Sequence, residues 1–170
     1  MVKHIRVLFI SSVIVLVAGV FSSALAQAGA EQKETAALVA RIIMGFSLSL
    51  GLAGSAIGLG ISFSALLGGG KESFFKNIAV ALMPSTQGIY AIVVLFANMD
   101  GLTTDPYVTA GRAAIFGFTL FFSSWYQGIV CAAGIRSILE ERNTLANAMV
   151  AGAMPETYAV FALVMTFIMK

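Results

Sequence analysis

Charge is what this sequence lacks most. Of its 170 residues only 11% are Asp, Glu, Lys or Arg, while 59% are hydrophobic; soluble domains carry about 25% charged residues. Such a chain cannot clothe itself in polar surface, so its solvent is the bilayer. Ten basic against eight acidic residues leave +2, too small and too scattered a balance for nucleic-acid binding. The single cysteine, Cys131, excludes an internal disulfide and a thiolate metal site; it reads as a small apolar filler. Three prolines against seventeen glycines point to tightly packed helices rather than loose linkers. A phosphate-cradling loop is missing as well. Gly68-Gly69-Gly70-Lys71 has neither the spacing nor the Ser/Thr of that motif, so this is not a nucleotide-hydrolysing enzyme.

What the chain has is apolar length. Lys3, His4 and Arg6 precede an apolar run from Val7 to Phe21, which ends in Ser22-Ser23-Ala24-Leu25-Ala26. Ala24-x-Ala26 fits a signal peptidase site, so residues 1–26 read as a cleavable signal segment and His4 goes with it. A retained membrane helix is the competing reading, because the run approaches spanning length. Four further runs follow at about 38–66, 77–98, 111–135 and 146–169, each long enough to cross hydrocarbon of about 30 Å. The expected fold is an all-α membrane protein of four transmembrane helices in two tandem hairpins, residues 27–98 and 99–170.

Orientation follows from the loops. Lys71, Lys76, Arg136 and Arg142 flank the first and third breaks, whereas the second carries Asp100 and Asp105, with Arg112 at its edge. Basic loops stay cytoplasmic, which puts both hairpin loops inside and the mature N- and C-termini outside. The halves also repeat. Met83-Pro84-Ser85-Thr86-Gln87 echoes Met154-Pro155-Glu156-Thr157; the Met-Pro pairs match at a shift of 71 and Gln87 with Glu156 at 69. Both hairpins run in the same direction, so the repeat is parallel.

Glu156 is the one acidic residue inside the four mature runs, halfway along the last. An ionised carboxylate at a helix centre costs roughly 2.5–3.5 kcal/mol to insert, and residues kept there are usually functional; a protonated carboxyl that only packs is the bland alternative. Counted from the loop centres, Glu156, Gln127 and Gln87 share one depth to within roughly 3 Å at about 1.5 Å of rise per residue. Thr86 adjoins Gln87, and Tyr90 lies three residues on, on the same face. One carboxylate, two amide oxygens and a hydroxyl at one level make an oxygen cage. Pro84 and Pro155 each leave the carbonyl four residues earlier, Val80 and Ala151, to find a partner inside the protein or on a ligand; a packing kink is the alternative for either proline. Ser47, Gly51, Gly54, Ser55 and Gly58 form a small-residue stripe with a Gly54-x-x-x-Gly58 contact pattern, suited to the inner wall of a ring. Phe116, Phe118, Phe121, Phe122, Trp125 and Tyr126 make the third helix bulky, with some of these rings left for lipid or neighbouring copies.

Three segments, Pro84-Ser85-Thr86-Gln87-Gly88-Ile89-Tyr90, Gln127-Gly128-Ile129-Val130-Cys131-Ala132-Ala133-Gly134 and Pro155-Glu156-Thr157-Tyr158, resemble the duplicated proteolipid of V-type ATPases. This is the rotor-ring subunit, and the likeness covers roughly residues 38–169. The resemblance implies a homo-oligomeric ring turning against a stator membrane subunit that carries an arginine, with central-stalk subunits on the cytoplasmic side and nucleotide chemistry elsewhere. It implies that Glu156 binds the transported ion. It implies, in sodium-type members, further ligation by Thr86, Gln87, Gln127 and the Met83 main-chain carbonyl, with Tyr90 holding the glutamate closed. Pro155, directly before the glutamate, departs from the family pattern. A proton needs only the carboxyl, whereas a hard cation must recover several oxygens in place of its water. With the full oxygen set present, the expected cargo is Na+, with H+ as the alternative. No organic cofactor is expected. Two other readings stand beside the rotor: a self-contained secondary transporter using Glu156 as a relay, and a scaffold in which the glutamate only pairs helices.

Overall fold

The computed structural model describes residues 32–169; the expected signal segment, residues 1–26, lies outside them. The elements are α1 (Gln32–Leu67), α2 (Gly70–Leu82), a 3-10 turn (Met83–Ser85), α3 (Thr86–Ala97), α4 (Gly101–Thr104), α5 (Pro106–Leu139) and α6 (Leu145–Ile168), with no strand among the described residues. Among the described residues four stretches are long and apolar enough to cross a bilayer: α1, the run from α2 through α3, α5 and α6. The all-α two-hairpin expectation is met. The helices nevertheless run further than expected, from Gly70 rather than 77 and over 106–139 rather than 111–135. Lys71, Glu72 and Arg136 are good helix formers, and a helix that leaves the hydrocarbon can carry charge without ending.

Local chemistry sets the turns. Gly70 sits at φ +76° between α1 and α2, a left-handed conformation that glycine adopts without strain. Asp105 caps α5 by accepting from the Val108 N–H at 3.3 Å, with Pro106 at the first helical position. Thr144 caps α6 through the Asn147 N–H at 3.3 Å.

Packing is densest between α1 and α5, and α6 leans on α5. Small residues make the first contact possible. A side-chain carbon on Gly54 would lie 2.7 Å from the Phe121 Cα, and one on Gly128 would strike the Gly58 backbone. The small stripe of α1 is therefore a contact with α5 and, at Gly51 and Ser55, with α3 of the same chain. Of the aromatic residues on α5, Phe116 is buried, whereas Phe122 and Tyr126 are exposed. Two apolar clusters result. Ala65, Leu66, Val80, Ala81, Cys131, Ala132, Ile135 and Ala148 pack toward the loop end, with Cys131 as the expected filler. Ala91, Val94, Phe116, Leu120, Ala159 and Ala162 pack toward the other. Between them lies a buried polar layer of Ser55, Gln87, Ser123, Ser124 and Gln127.

The far end is tied by Arg112 of α5, whose Nη1 donates to Asn98 Oδ1 at 3.2 Å and whose Nη2 donates to the Met169 carbonyl. Asn98 caps α3 and Met169 caps α6. A cation thus joins two helix C-termini, where the macrodipole favours positive charge.

Candidate ion-binding site

The site begins with Pro84. Lacking an N–H, it cannot continue the α-helical ladder, and the chain answers with one 3-10 turn. The Met83 N–H then reaches the Val80 carbonyl, so the expected orphan is satisfied within the chain. Hydroxyl groups serve the neighbouring carbonyls: Ser62 donates to Ala81 at 2.7 Å, Ser85 to Leu82 at 2.7 Å, Thr86 to Met83 at 3.1 Å and Ser124 to Pro84 at 2.7 Å. Pro155 behaves differently. It lies inside the unbroken helix α6, and its own carbonyl accepts from Ser123 Oγ at 2.7 Å. The two Met-Pro echoes of the sequence therefore have different backbone outcomes.

Glu156 stands at the middle of α6 and is partly buried. Tyr90 Oη donates to its Oε1 at 3.0 Å, and Gln127 Nε2 to its Oε2 at 3.2 Å. Two donors suit a carboxylate, which can only accept when ionised. Gln127 uses its second Nε2 proton on the Gly152 carbonyl at 3.0 Å. Gly152 sits in a tight spot, where a side-chain carbon would lie 3.0 Å from Cys131 Sγ and from Met83 Sδ and one of them would have to shift. Gln127 Oε1 accepts from Gln87 Nε2 at 2.6 Å, and Gln87 Oε1 lies 3.2 Å from Thr86 Oγ1, whose one proton serves either this oxygen or the Met83 carbonyl. Thr86 Oγ1 in turn contacts the Met83 carbonyl. All six expected positions, Met83, Thr86, Gln87, Tyr90, Gln127 and Glu156, thus lie on one continuous run of contacts at hydrogen-bonding distance through the 3-10 turn, α3, α5 and α6. Gln87 and Gln127 are fully buried, and an unmet amide there would cost about 1–3 kcal/mol.

No basic group among the described residues reaches Glu156, where the one ion pair joins Arg142 and Glu140 in the α5–α6 loop. Nor is there a group of three His, Cys, Asp or Glu side chains there, so a cation at this layer would meet one formal negative charge and otherwise neutral oxygens. Beside the site, a cleft of about 410 Å³ is lined by Thr119, Phe122, Ser123, Tyr126, Met154, Pro155 and Tyr158.

With the fold and this layer in view, relatives place the chain. The profile of the family described as the C subunit of ATP synthase matches twice, at residues 42–97 and 110–169, once on each hairpin. The chain belongs to the ATP synthase C-subunit family. It is 32% identical over 124 residues to the V-type sodium ATPase subunit K of Enterococcus hirae, covering 68% of this chain and 80% of that protein. It is 33% identical over 129 residues to the A-type ATP synthase subunit K of Methanocaldococcus jannaschii, covering 71% of this chain and 59% of that one. As a member of this family of the duplicated proteolipid type, it is a non-catalytic, multi-pass membrane protein of the kind that forms oligomeric rings in rotary ATPases.

Ser123 escaped the sequence reading. It accepts from Gln87 Nε2 at 3.3 Å while donating to Pro155. Its one sequence signal is spacing: it precedes Gln127 by four residues and so shares its helix face.

Proposed function

We propose that this chain is the ion carrier of a rotary ring, and that Glu156 ferries Na+ across the membrane as the ring turns. Thr86, Gln87, Gln127 and the Met83 carbonyl supply the remaining oxygens, and Tyr90 holds the carboxylate closed. The single observation that carries this reading is the continuous run of polar contacts at hydrogen-bonding distance from Tyr90 through Glu156, Gln127 and Gln87 to Thr86 and Met83. The name of the Enterococcus hirae relative, a sodium ATPase subunit, supports the choice of ion.

Charge matching supports it too. One carboxylate neutralises one monovalent cation, so the loaded site is neutral overall and can travel past lipid. A divalent ion would leave a net positive charge there. A proton would need the carboxyl alone and would call for none of the amide and hydroxyl oxygens gathered at this depth. In the cycle, a stator membrane subunit presents a fixed arginine that favours the empty, ionised Glu156 and releases the ion. Reloading takes place from the opposite side. Each elementary charge moved through 100 mV exchanges about 2.3 kcal/mol, which rotation links to nucleotide chemistry on other subunits.

The loops at Gly70 and Arg142 face the cytoplasm and the central stalk, the termini face outward, residues 1–26 are removed on export, and residues 27–98 and 99–170 are the two hairpins. Ring formation in the family favours this rotor over a stand-alone secondary transporter. The test is labelling of Glu156 by a hydrophobic carbodiimide in purified rings. Labelling should fall as sodium chloride is added and should persist in potassium chloride. Labelling that ignores sodium would remove the ion assignment.

A further inference from the structure

We infer that Ser123 is a positioning residue for the cation site: by accepting a hydrogen bond from Gln87 it turns the Gln87 oxygen toward Thr86 and Met83, and so raises sodium affinity. The inference rests on the sodium reading above. The direction of the network is fixed by groups that can only accept. Gln127 Nε2 spends its two protons on the Gly152 carbonyl and the Glu156 carboxylate, which leaves its oxygen toward α3. Ser123 Oγ spends its one proton on the Pro155 carbonyl at 2.7 Å. Toward Gln87 it has only lone pairs to offer.

Gln87 must therefore present nitrogen to both, at 3.3 Å to Ser123 Oγ and 2.6 Å to Gln127 Oε1. Its oxygen is left 3.2 Å from Thr86 Oγ1, which is itself 3.1 Å from the Met83 carbonyl. Three of the proposed ligand oxygens are gathered by that choice. The reversed amide would put its NH2 among Thr86 and Met83, where it would repel a cation. Ser123 is 6% exposed, at the edge of the cleft, whereas the Gln87 side chain it serves is fully buried. Because its proton goes to the peptide directly before Glu156, Ser123 also sets the carboxylate-bearing backbone against Gln87.

The experiment measures the sodium concentration that half-protects Glu156 from carbodiimide in purified rings of the full chain. Ser123→Ala should raise it about five- to tenfold, the loss of one buried hydrogen bond, with labelling in sodium-free buffer unchanged. Ser123→Cys keeps the volume while weakening both bonds; it should raise the value in the same direction, and it carries the test should the alanine variant fail to assemble. Thr166→Val removes another buried hydroxyl–carbonyl bond, to Ala162 at 2.9 Å, on the part of α6 beyond the site. It should leave the half-protecting concentration within about twofold, well under the loss of a buried hydrogen bond, which separates positioning from general loosening. Normal sodium protection in wild type with the same value in both Ser123 variants overturns this inference alone. Absence of sodium protection in wild type overturns the sodium reading and this inference with it.

Discussion

Gln127 has no spare capacity on its nitrogen: both protons are committed to α6, one to Gly152 and one to Glu156. Replacing it by leucine removes a hydrogen bond to a charged group, which is worth about 1.5–3 kcal/mol. It also takes from the fully buried Gln87 Nε2 its shorter acceptor, at 2.6 Å, and leaves it only Ser123 Oγ at 3.3 Å. Gln127→Leu should accordingly raise the half-protecting sodium concentration roughly 10- to 100-fold, while Glu156 stays reactive toward carbodiimide in sodium-free buffer. An unshifted value would take Gln127 out of the ligand set. The position of this residue is legible in the sequence, because depth in a membrane helix is a count from its loops. Ser123 is not legible there. A serine among aromatic residues looks like any other small packing residue until the carbonyl it serves is known.

For whole helices, composition predicts existence well and local backbone poorly. The four spans, their order and the small-residue contact of α1 can be read because burying charge is costly and glycine permits close approach. Two Met-Pro pairs of one sequence pattern cannot be told apart. Pro84 is flanked by hydroxyl groups on α1, α5 and its own turn that serve the carbonyls of Ala81, Pro84 and Leu82, in and just before the 3-10 turn, whereas Pro155 sits in a helix that stays whole. Those partners are remote in sequence, so the outcome belongs to tertiary structure. The α1–α5 crossing yields a prediction of its own. Gly128 faces the Gly58 backbone with no room for a methyl group, and overpacking typically costs about 1–3 kcal/mol. Gly128→Val should lower the temperature at which purified rings lose their helical circular dichroism. An unchanged midpoint would mean that the helices part without cost at this point.

For the molecule as a whole, the loops offer the cleanest check of orientation. Asn143 is exposed between α5 and α6, and Thr103 is exposed at the opposite end, while the native Cys131 is buried. In intact cells, a membrane-impermeant maleimide should label Thr103→Cys and spare Asn143→Cys; in inverted vesicles the pattern should reverse. Equal labelling from one side would contradict the orientation drawn from loop charge. The Arg112 tie, by contrast, shows in the sequence only as a charge at a loop edge, because nothing local links residue 112 to Asn98 and Met169.

Having Gln87 where the second half has Glu156 gives the chain a low gear. On the proposed rotor reading, two hairpins share one seat for cargo, so a wheel of given circumference moves half the ions it would move with a carboxylate in each. The work delivered per revolution by the catalytic sector is then divided among half as many charges, and each can be driven against about twice the voltage. A single amide in place of an acid would thus trade throughput for driving force on each ion.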